Sequence, residues 1–266
     1  MARIDEKLLE AARAGDRKAL GELLELLQPR IYGFGMRMCG NPDDAKDVLQ
    51  ETLIAVTRGI GDFRRESSLP TWLYSIARSF CIKKRRRRKG EPADTEPLES
   101  VRASRDDDLE ASLGARELKA KLDQAIARLD AKQREVLVLR DVEGLSAPEV
   151  AEVLGLRLEA VKSRLHRARA ALREQVAPLV DEHRAARPAC PDIVSILSRH
   201  LEGDLSVERC AEMERHVASC PHCDATCQSF RAVLATCSSL RTERVPPEVA
   251  EPIRARVREL LSKVAS

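Results

Sequence analysis

The sequence predicts an all-α protein, and composition and hydrophobic spacing are the observations behind this prediction. Ala, Leu, Glu and Arg are the commonest residues and runs of β-branched residues are scarce, which favours helices over strands. Apolar residues recur at spacings of three and four along much of the chain, as amphipathic helices require. Hydrophobic residues make up 43% of the 266 residues, which is enough for packed cores and argues against disorder of the whole chain.

The length and the composition shifts divide the chain into several segments. We predict a helical domain over residues 10–90, a flexible linker over 91–113 and a second helical domain over 114–183. A small cysteine-rich domain over 188–240 and an amphipathic helix over 246–266 follow. The linker is rich in Pro, Glu, Asp and Ser and lacks an apolar period, which is typical of a solvated, extended connection.

The charge pattern points to an anionic partner in the cytoplasm. No stretch of about 18 apolar residues occurs, so we expect no membrane-spanning helix and no membrane partner. The charged N-terminus lacks the apolar core of a secretory signal, which predicts a cytoplasmic location. The net charge is +3, but the linker concentrates acids, so both helical domains carry a basic excess. A local basic excess attracts a nucleic-acid phosphate backbone.

The sequence of the first domain contains two predicted helix N-termini. Asn41-Pro42 followed by two aspartates is typical of a helix N-terminus, where proline fits and acids complement the dipole. Ser67 to Thr71 begins another helix, which carries Trp72 and Tyr74 and ends in seven consecutive cations, Lys83 to Lys89. Such a run is either a solvated helix end or a surface for phosphates, because adjacent cations repel one another.

A helix-turn-helix is predicted around Gly155. Ser146 and Glu149 form a capping box at the start of the first helix, and the glycine permits the tight turn. In the second helix the expected buried stripe is Val161, Leu165, Ala168 and Leu172. The residues expected to face outward or flank that stripe are Lys162, Ser163, Arg164, His166, Arg167 and Arg169. An exposed basic face suits a reader of the DNA major groove; the alternative is an ordinary helical hairpin with a solvated charged face.

A metal centre is predicted in the cysteine-rich domain, which holds six of the eight cysteines. The spacing C-x25-H-x3-C-x2-C indicates one Zn²⁺, structural or regulatory, held by a closed Cys₃His set. The predicted ligands are Cys190, His216, Cys220 and Cys223. His200 and Cys210 compete with Cys190 for the fourth position, and reduced core cysteines with a surface histidine are the alternative to any site. One zinc site does not need Cys210, Cys227 and Cys237. These three thiols are either inert core residues or a redox or metal sensor.

Residues 129–174 resemble region 4 of extracytoplasmic-function (ECF) sigma factors, and the segments NPDDAKDVLQETLIAV and FRRESSLPTWLYSIARSFCIKKRRRR resemble their region 2. The resemblance implies that bacterial core RNA polymerase and promoter DNA are partners. The implied polymerase-binding residues are Asp44, Asp47, Gln50 and Glu51. The alternative is that these residues form an ordinary acidic helix face. The implied DNA-binding residues are Arg64, Trp72, Arg78, Lys84 and Arg85 for the −10 element and Arg157, Lys162, Ser163, Arg164 and Arg167 for the −35 element. Trp72 and Tyr74 suit stacking on single-stranded bases, although Trp72 also fits a core position.

Residues 188–240 resemble the zinc-binding anti-sigma domain family, through CPDIVSILSRHLEGDLS and ERCAEMERHVASCPHC. The resemblance implies a nonenzymatic sigma factor whose own zinc domain contacts and inhibits it, in response to metal or redox signals. The last helix is the alternative masking element, because its apolar stripe needs a partner. The alternative function is a helix-turn-helix regulator with a zinc-stabilised dimerisation domain. A zinc hydrolase is excluded because H-E-x-x-H is missing and a four-ligand site leaves no position for water.

Overall fold

The computed structural model describes residues 4–88, 111–180, 190–242 and 245–263, and within these ranges it contains helices and no strand, which confirms the all-α fold. The α-helices are α1 (Glu6–Arg13), α2 (Arg17–Cys39), α3 (Pro42–Gly59), α4 (Leu69–Arg88), α5 (Ala111–Arg128), α6 (Ala131–Leu137), α7 (Ala147–Leu154), α8 (Leu158–Val180), α9 (Ile193–Leu201), α10 (Val207–Ser219), α11 (Pro221–Ser239) and α12 (Pro247–Lys263). A π-helical turn, Val138–Val142, follows α6, and a 3₁₀ turn, Leu240–Thr242, follows α11. None of the described helices has the length and apolarity needed to cross a membrane.

The chain divides into two compact units. The first consists of Met1–Glu99 together with Arg241–Ser266, and the second of Ser100–Leu240. The predicted linker lies outside the described residues up to position 110, and α5 begins at Ala111. The predicted domain limits themselves stay predictions.

The first unit is built on the packing of α2, α3 and α4. Asn41 caps α3 with its side-chain oxygen and Pro42 occupies the first turn, as the sequence predicts. A Cβ added to Gly35 of α2 would lie 3.1 Å from the Ala45 Cα of α3, so the glycine permits the close approach of the two helices. α12 packs against α2 and α3 through Ile253 and Val257, which are buried.

The second unit contains the helix-turn-helix. Ser146 and Glu149 form the expected capping box at the start of α7. Gly155 has a φ of +64° and ends that helix, a conformation that favours glycine. All four residues of the predicted stripe on α8, Val161, Leu165, Ala168 and Leu172, are buried.

The second unit also contains a small module that we call the cysteine module, residues 190–240. Its helices α9, α10 and α11 pack on one another around an apolar cluster. The buried members of this cluster are Ile193, Leu197, Met213, Cys220, Cys223, Cys227 and Phe230. A core of seven buried residues is small, so a bound metal ion would add much to its stability.

Candidate nucleic-acid interface and metal centre

The recognition helix α8 presents a cationic surface at its N-terminal half. Arg157, Ser163 and Arg167 are exposed there, whereas Lys162 and Arg164 are half-buried. Arg167 donates to the Ser163 carbonyl at 3.3 Å, which lays its guanidinium along the helix. All five predicted −35 residues therefore lie on or beside one accessible face, and their base contacts stay predictions.

Acidic and basic side chains share a groove between α3 and α4 in the first unit. Of the four predicted polymerase-binding residues, Asp47 and Glu51 are exposed and Asp44 and Gln50 are half-buried. Asp47 forms an ion pair with Lys84, and Lys83 also lines the groove. The predicted polymerase-binding acids and the predicted −10 cations are therefore close neighbours.

The aromatic side chains of α4 take two different positions. Trp72 is half-buried, with its ring centroid 5.1 Å from that of Phe63 and its edge over Gly59. Tyr74 is 1% exposed and its ring centroid lies 5.2 Å from that of Phe34 in the core. The prediction that Tyr74 stacks on bases is wrong, because its ring completes the packing of α4 on α2.

The other predicted −10 cations remain accessible. Arg64 is exposed in the connection between α3 and α4, and Arg78, Lys84 and Arg85 are half-buried along α4. Residues 87 and 88 lie in the last turn of α4, and Lys89 lies outside the described residues. Their contacts with DNA stay predictions.

Four metal-ligand atoms converge in the cysteine module. The predicted set Cys190, His216, Cys220 and Cys223 places all its ligand atoms within 4.8 Å of one another. Cys190 Sγ lies 3.8 Å from Cys220 Sγ. A tetrahedral zinc ion with Zn–S bonds of about 2.3 Å separates its sulfur ligands by about 3.8 Å, so the donors fit Zn²⁺. His216 Nε2 lies 3.1 Å from Cys223 Sγ.

The thiols of this centre differ in proton affinity. A hydrogen bond from the Cys223 backbone N–H, together with neighbouring thiols, lowers the pKa of Cys220 below its ordinary value. Burial, with the nearby thiols of Cys190 and Cys220, raises the pKa of Cys223 to about 12. A metal ion that binds Cys223 as a thiolate must therefore displace its proton.

The competing ligands lie elsewhere. His200 Nδ1 is 3.2 Å from Cys210 Sγ, so these two residues pair with each other at the junction of α9 and α10. Cys227 and Cys237 are buried in the cores, 3% and 0% exposed. Of the three surplus thiols, Cys210 is the accessible one.

A buried ion network joins the recognition helix to α9. Arg169 is only 1% exposed and donates to both oxygens of Asp141, at 2.6 and 2.9 Å. It also donates to Glu202 at 2.8 Å, and Arg140 donates to the other oxygen of Glu202 at 3.1 Å. Arg169 flanks the buried stripe, one of the two placements expected for it, but it is buried and not part of an exposed basic face. Its acidic partners and the Ser198 carbonyl offset the cost of burying its charge.

The same helix flank makes two further contacts with the cysteine module. Lys162 pairs with Asp204, and His166 Nδ1 lies 2.7 Å from Ser198 Oγ. Burial first, and then the charge of Arg169, lower the pKa of His166 below its ordinary value of 6.5. For Arg169, burial lowers the pKa, but the hydrogen bonds and charges of Asp141 and Glu202 outweigh burial and raise it.

Sequence reasoning missed this acidic turn, residues 202–204. The segment LEGDLS carries two acids around a glycine, and Gly203 adopts a φ of +70° that favours glycine. A pair of acids at a turn is common on protein surfaces, so only the packing of α9 against α8 distinguishes it.

The helix-turn-helix, with its basic recognition helix, defines a DNA-binding transcription factor. The sigma-70 region 2 family matches residues 23–91 and the sigma-70 region 4 family matches residues 119–172. The chain belongs to the ECF family of RNA polymerase sigma factors. A zinc-finger family matches residues 190–223, which include all four converging ligands.

Individual relatives agree with this membership. The chain is 32% identical over 182 residues to the ECF RNA polymerase sigma factor SigW of Bacillus subtilis, covering 65% of this chain and 97% of SigW. It is 33% identical to the RNA polymerase sigma-H factor of Pseudomonas aeruginosa, covering 67% of this chain and 96% of that protein. Among solved structures, CnrH in complex with the cytosolic domain of CnrY is 26% identical, with a TM-score of 0.49 and coverage of 66% and 98%. About a third of this chain has no counterpart in SigW.

Proposed function

We propose that this ECF sigma factor directs core RNA polymerase to its promoters in the cytoplasm and that its own cysteine module restrains it. The observation that supports the restraint is the set of contacts that the recognition helix α8 makes, through Arg169, Lys162 and His166, with α9 and the turn of residues 202–204. A module tethered in the same chain acts at an effective concentration in the millimolar range, so a weak contact is mostly formed.

The roles of individual surfaces follow the family. Asp44, Asp47, Gln50 and Glu51 of α3 bind polymerase, while Arg64, Trp72, Arg78, Lys84 and Arg85 contact the −10 element. Arg157, Lys162, Ser163, Arg164 and Arg167 contact the −35 element. These surfaces bind and position macromolecules, so the protein acts without catalysis of its own. Family membership also sets aside the alternative of a helix-turn-helix regulator that acts without polymerase.

One Zn²⁺ completes the cysteine module. Cys190, His216, Cys220 and Cys223 would hold it, as their mutual distances support. The ion would tie the start of α9 to the α10–α11 junction, and four protein ligands would leave no open position for catalysis. The zinc is therefore structural, and its loss would loosen the module.

Transcription in vitro tests the proposal. Purified full chain and a chain truncated after Arg187 are each combined with core polymerase and a genomic promoter library. We expect discrete transcripts from both chains and several-fold more from the truncated chain. Absence of transcripts from both chains would contradict promoter direction, and lower activity of the truncated chain would show that the module activates or merely supports the fold.

A further inference from the structure

The acidic turn places two carboxylates on cations of the DNA-binding domain. Glu202 follows α9 and contacts Arg140 and Arg169, with 2% of its side chain exposed. Asp204 pairs with Lys162, with 29% of its side chain exposed. Both carboxylates belong to the cysteine module, and all three cations belong to the domain that contains the recognition helix.

The three contact residues on α8 form one stripe. Lys162, His166 and Arg169 are spaced by four and three residues, so they lie above one another along the helix. Ser163 and Arg167, next to this stripe, remain exposed. The module therefore covers one flank of the recognition helix and leaves the adjoining flank open.

We propose that the carboxylates of Glu202 and Asp204 occupy positions that promoter phosphates would otherwise take. Duplex DNA and the cysteine module then compete for the same cations. This inference rests on the proposed function of α8 as the −35 reader. A carboxylate and a phosphate each offer anionic oxygens to Lys or Arg. Two anions cannot share one partly buried lysine without mutual repulsion, so a phosphate reaches Lys162 only after Asp204 leaves.

The competition has a measurable signature in duplex binding. Phosphate contacts are independent of sequence, so a mixed-sequence duplex of about 20 base pairs is a sufficient probe. The variant pair Glu202→Gln and Asp204→Asn, made together in the full zinc-loaded chain, keeps the size of both side chains and removes their charges. We expect it to bind the duplex at least several-fold more tightly than the unchanged chain at low salt, as measured by fluorescence anisotropy.

A matched control separates competition from net charge. Glu212→Gln with Glu214→Gln removes the same charge from exposed positions on α10 of the same module. We expect this control to stay within about twofold of the unchanged chain, because a remote charge is largely screened. An equal gain in both variants, or no gain in either, would overturn the competition. Glu202 also belongs to the buried network of Arg169, so Asp204→Asn alone, compared with Glu212→Gln alone, decides whether a gain comes from competition or from loss of that network. No gain in Asp204→Asn would overturn the competition.

The outcome is separable from that of the transcription experiment. If truncation raises transcription but the Glu202 and Asp204 variants leave duplex affinity unchanged, the restraint stands and the phosphate competition is wrong. If the variants bind duplex more tightly but truncation leaves transcription unchanged, the competition stands and the restraint on polymerase fails.

Discussion

At the scale of single residues, Arg169 is the centre of the second unit's polar interior. Its guanidinium satisfies two carboxylates, Asp141 and Glu202, and also donates to Ser198 Oγ at 3.1 Å. Removal of a cation from such a set leaves the carboxylates buried without a partner. The network therefore stabilises the unit only as a complete set.

We expect Arg169→Ala to lower the free energy of unfolding of the second unit by about 3–5 kcal/mol, the usual effect of breaking a buried ion pair. Urea unfolding followed by circular dichroism measures this change. Arg167→Ala on the same helix is the control, because an exposed substitution changes stability by about 0.5 kcal/mol or less. Similar losses for the two variants would contradict the role of the buried network.

We expect His166 to make the contact between α8 and α9 dependent on pH. The charged groups that face it are Arg169 on its own helix and Arg199, Glu202 and Asp204 from the module. Its pKa is lowered in the docked state, so docking is at full strength above the ordinary histidine pKa of 6.5. Docking weakens as the pH falls through that value, because the undocked histidine takes up a proton more readily.

We therefore expect the duplex affinity of the full chain to rise between pH 7.5 and 6 relative to that of a chain truncated after residue 187. His166→Gln should flatten this dependence, because glutamine does not titrate. Zinc content is measured at each pH, since loss of the ion would loosen the module by another route. An unchanged pH dependence in the glutamine variant would show that another group is responsible.

At the scale of elements, the four residues of the candidate metal centre come from three segments of the cysteine module. Cys190 precedes α9, His216 lies in the last turn of α10, and Cys220 and Cys223 lie at the start of α11. We expect about one zinc per chain, as four ligands make one tetrahedral site. Affinity should fall as pH drops, because thiolates and protons compete.

Metal analysis of single variants checks the ligand set. Cys223→Ser should lose the zinc and Cys190→Ala should weaken its binding strongly. Cys210→Ser is the control, since its Sγ contacts His200 outside the set. Full retention of zinc in Cys223→Ser would contradict the assignment of Cys223 as a ligand. Full loss of zinc in Cys210→Ser would show that Cys210 is the fourth ligand.

The recognition helix allows a test of base reading. Arg164→Ala and Arg167→Ala should each weaken promoter use by about 1–3 kcal/mol and relax the preference at one base pair, if the residue reads a guanine. Transcription from a promoter library with one randomised −35 base pair at a time measures both effects. Equal weakening of transcription from all promoter sequences would indicate phosphate contact instead. Unchanged transcription and unchanged base preference would show that this face of α8 does not contact DNA.

The helices and their caps show which features of the fold can be predicted from the sequence. Caps, turns and buried stripes depend on nearby residues, so Asn41, Ser146 and Gly155 were predicted correctly. The convergence of the four predicted ligands could also be predicted, because three of them are close in sequence; their binding of zinc stays a prediction. Arg169 and Tyr74 were assigned to the wrong environment, because their burial depends on residues distant in sequence, Glu202 and Phe34. A carboxylate 33 residues away has no periodic signal that links it to its cation.

At the scale of the whole molecule, the cysteine module and α12 fall in different units. The cysteine module contacts the recognition helix within the second unit, and α12 packs on α2 and α3 within the first. With α12 in place, Asp47 and Glu51 of α3 remain exposed. The predicted polymerase-binding acids are therefore accessible beside α12, so we infer that α12 anchors the C-terminal segment more than it masks α3.

Two deletions separate these roles in transcription with core polymerase. Deletion of 188–266 should raise transcription several-fold, because it removes the contacts to Lys162, His166 and Arg169. Deletion of 246–266 alone should give a much smaller rise, because the contacts of the cysteine module with α8 remain. It should also lower the stability of the first unit, because the apolar cover that Ile253 and Val257 supply disappears. Ile253→Ala tests the same contact in the full chain, where loss of a buried isoleucine costs about 2–5 kcal/mol. A full rise from the shorter deletion would make α12 the masking element and reduce the cysteine module to its support.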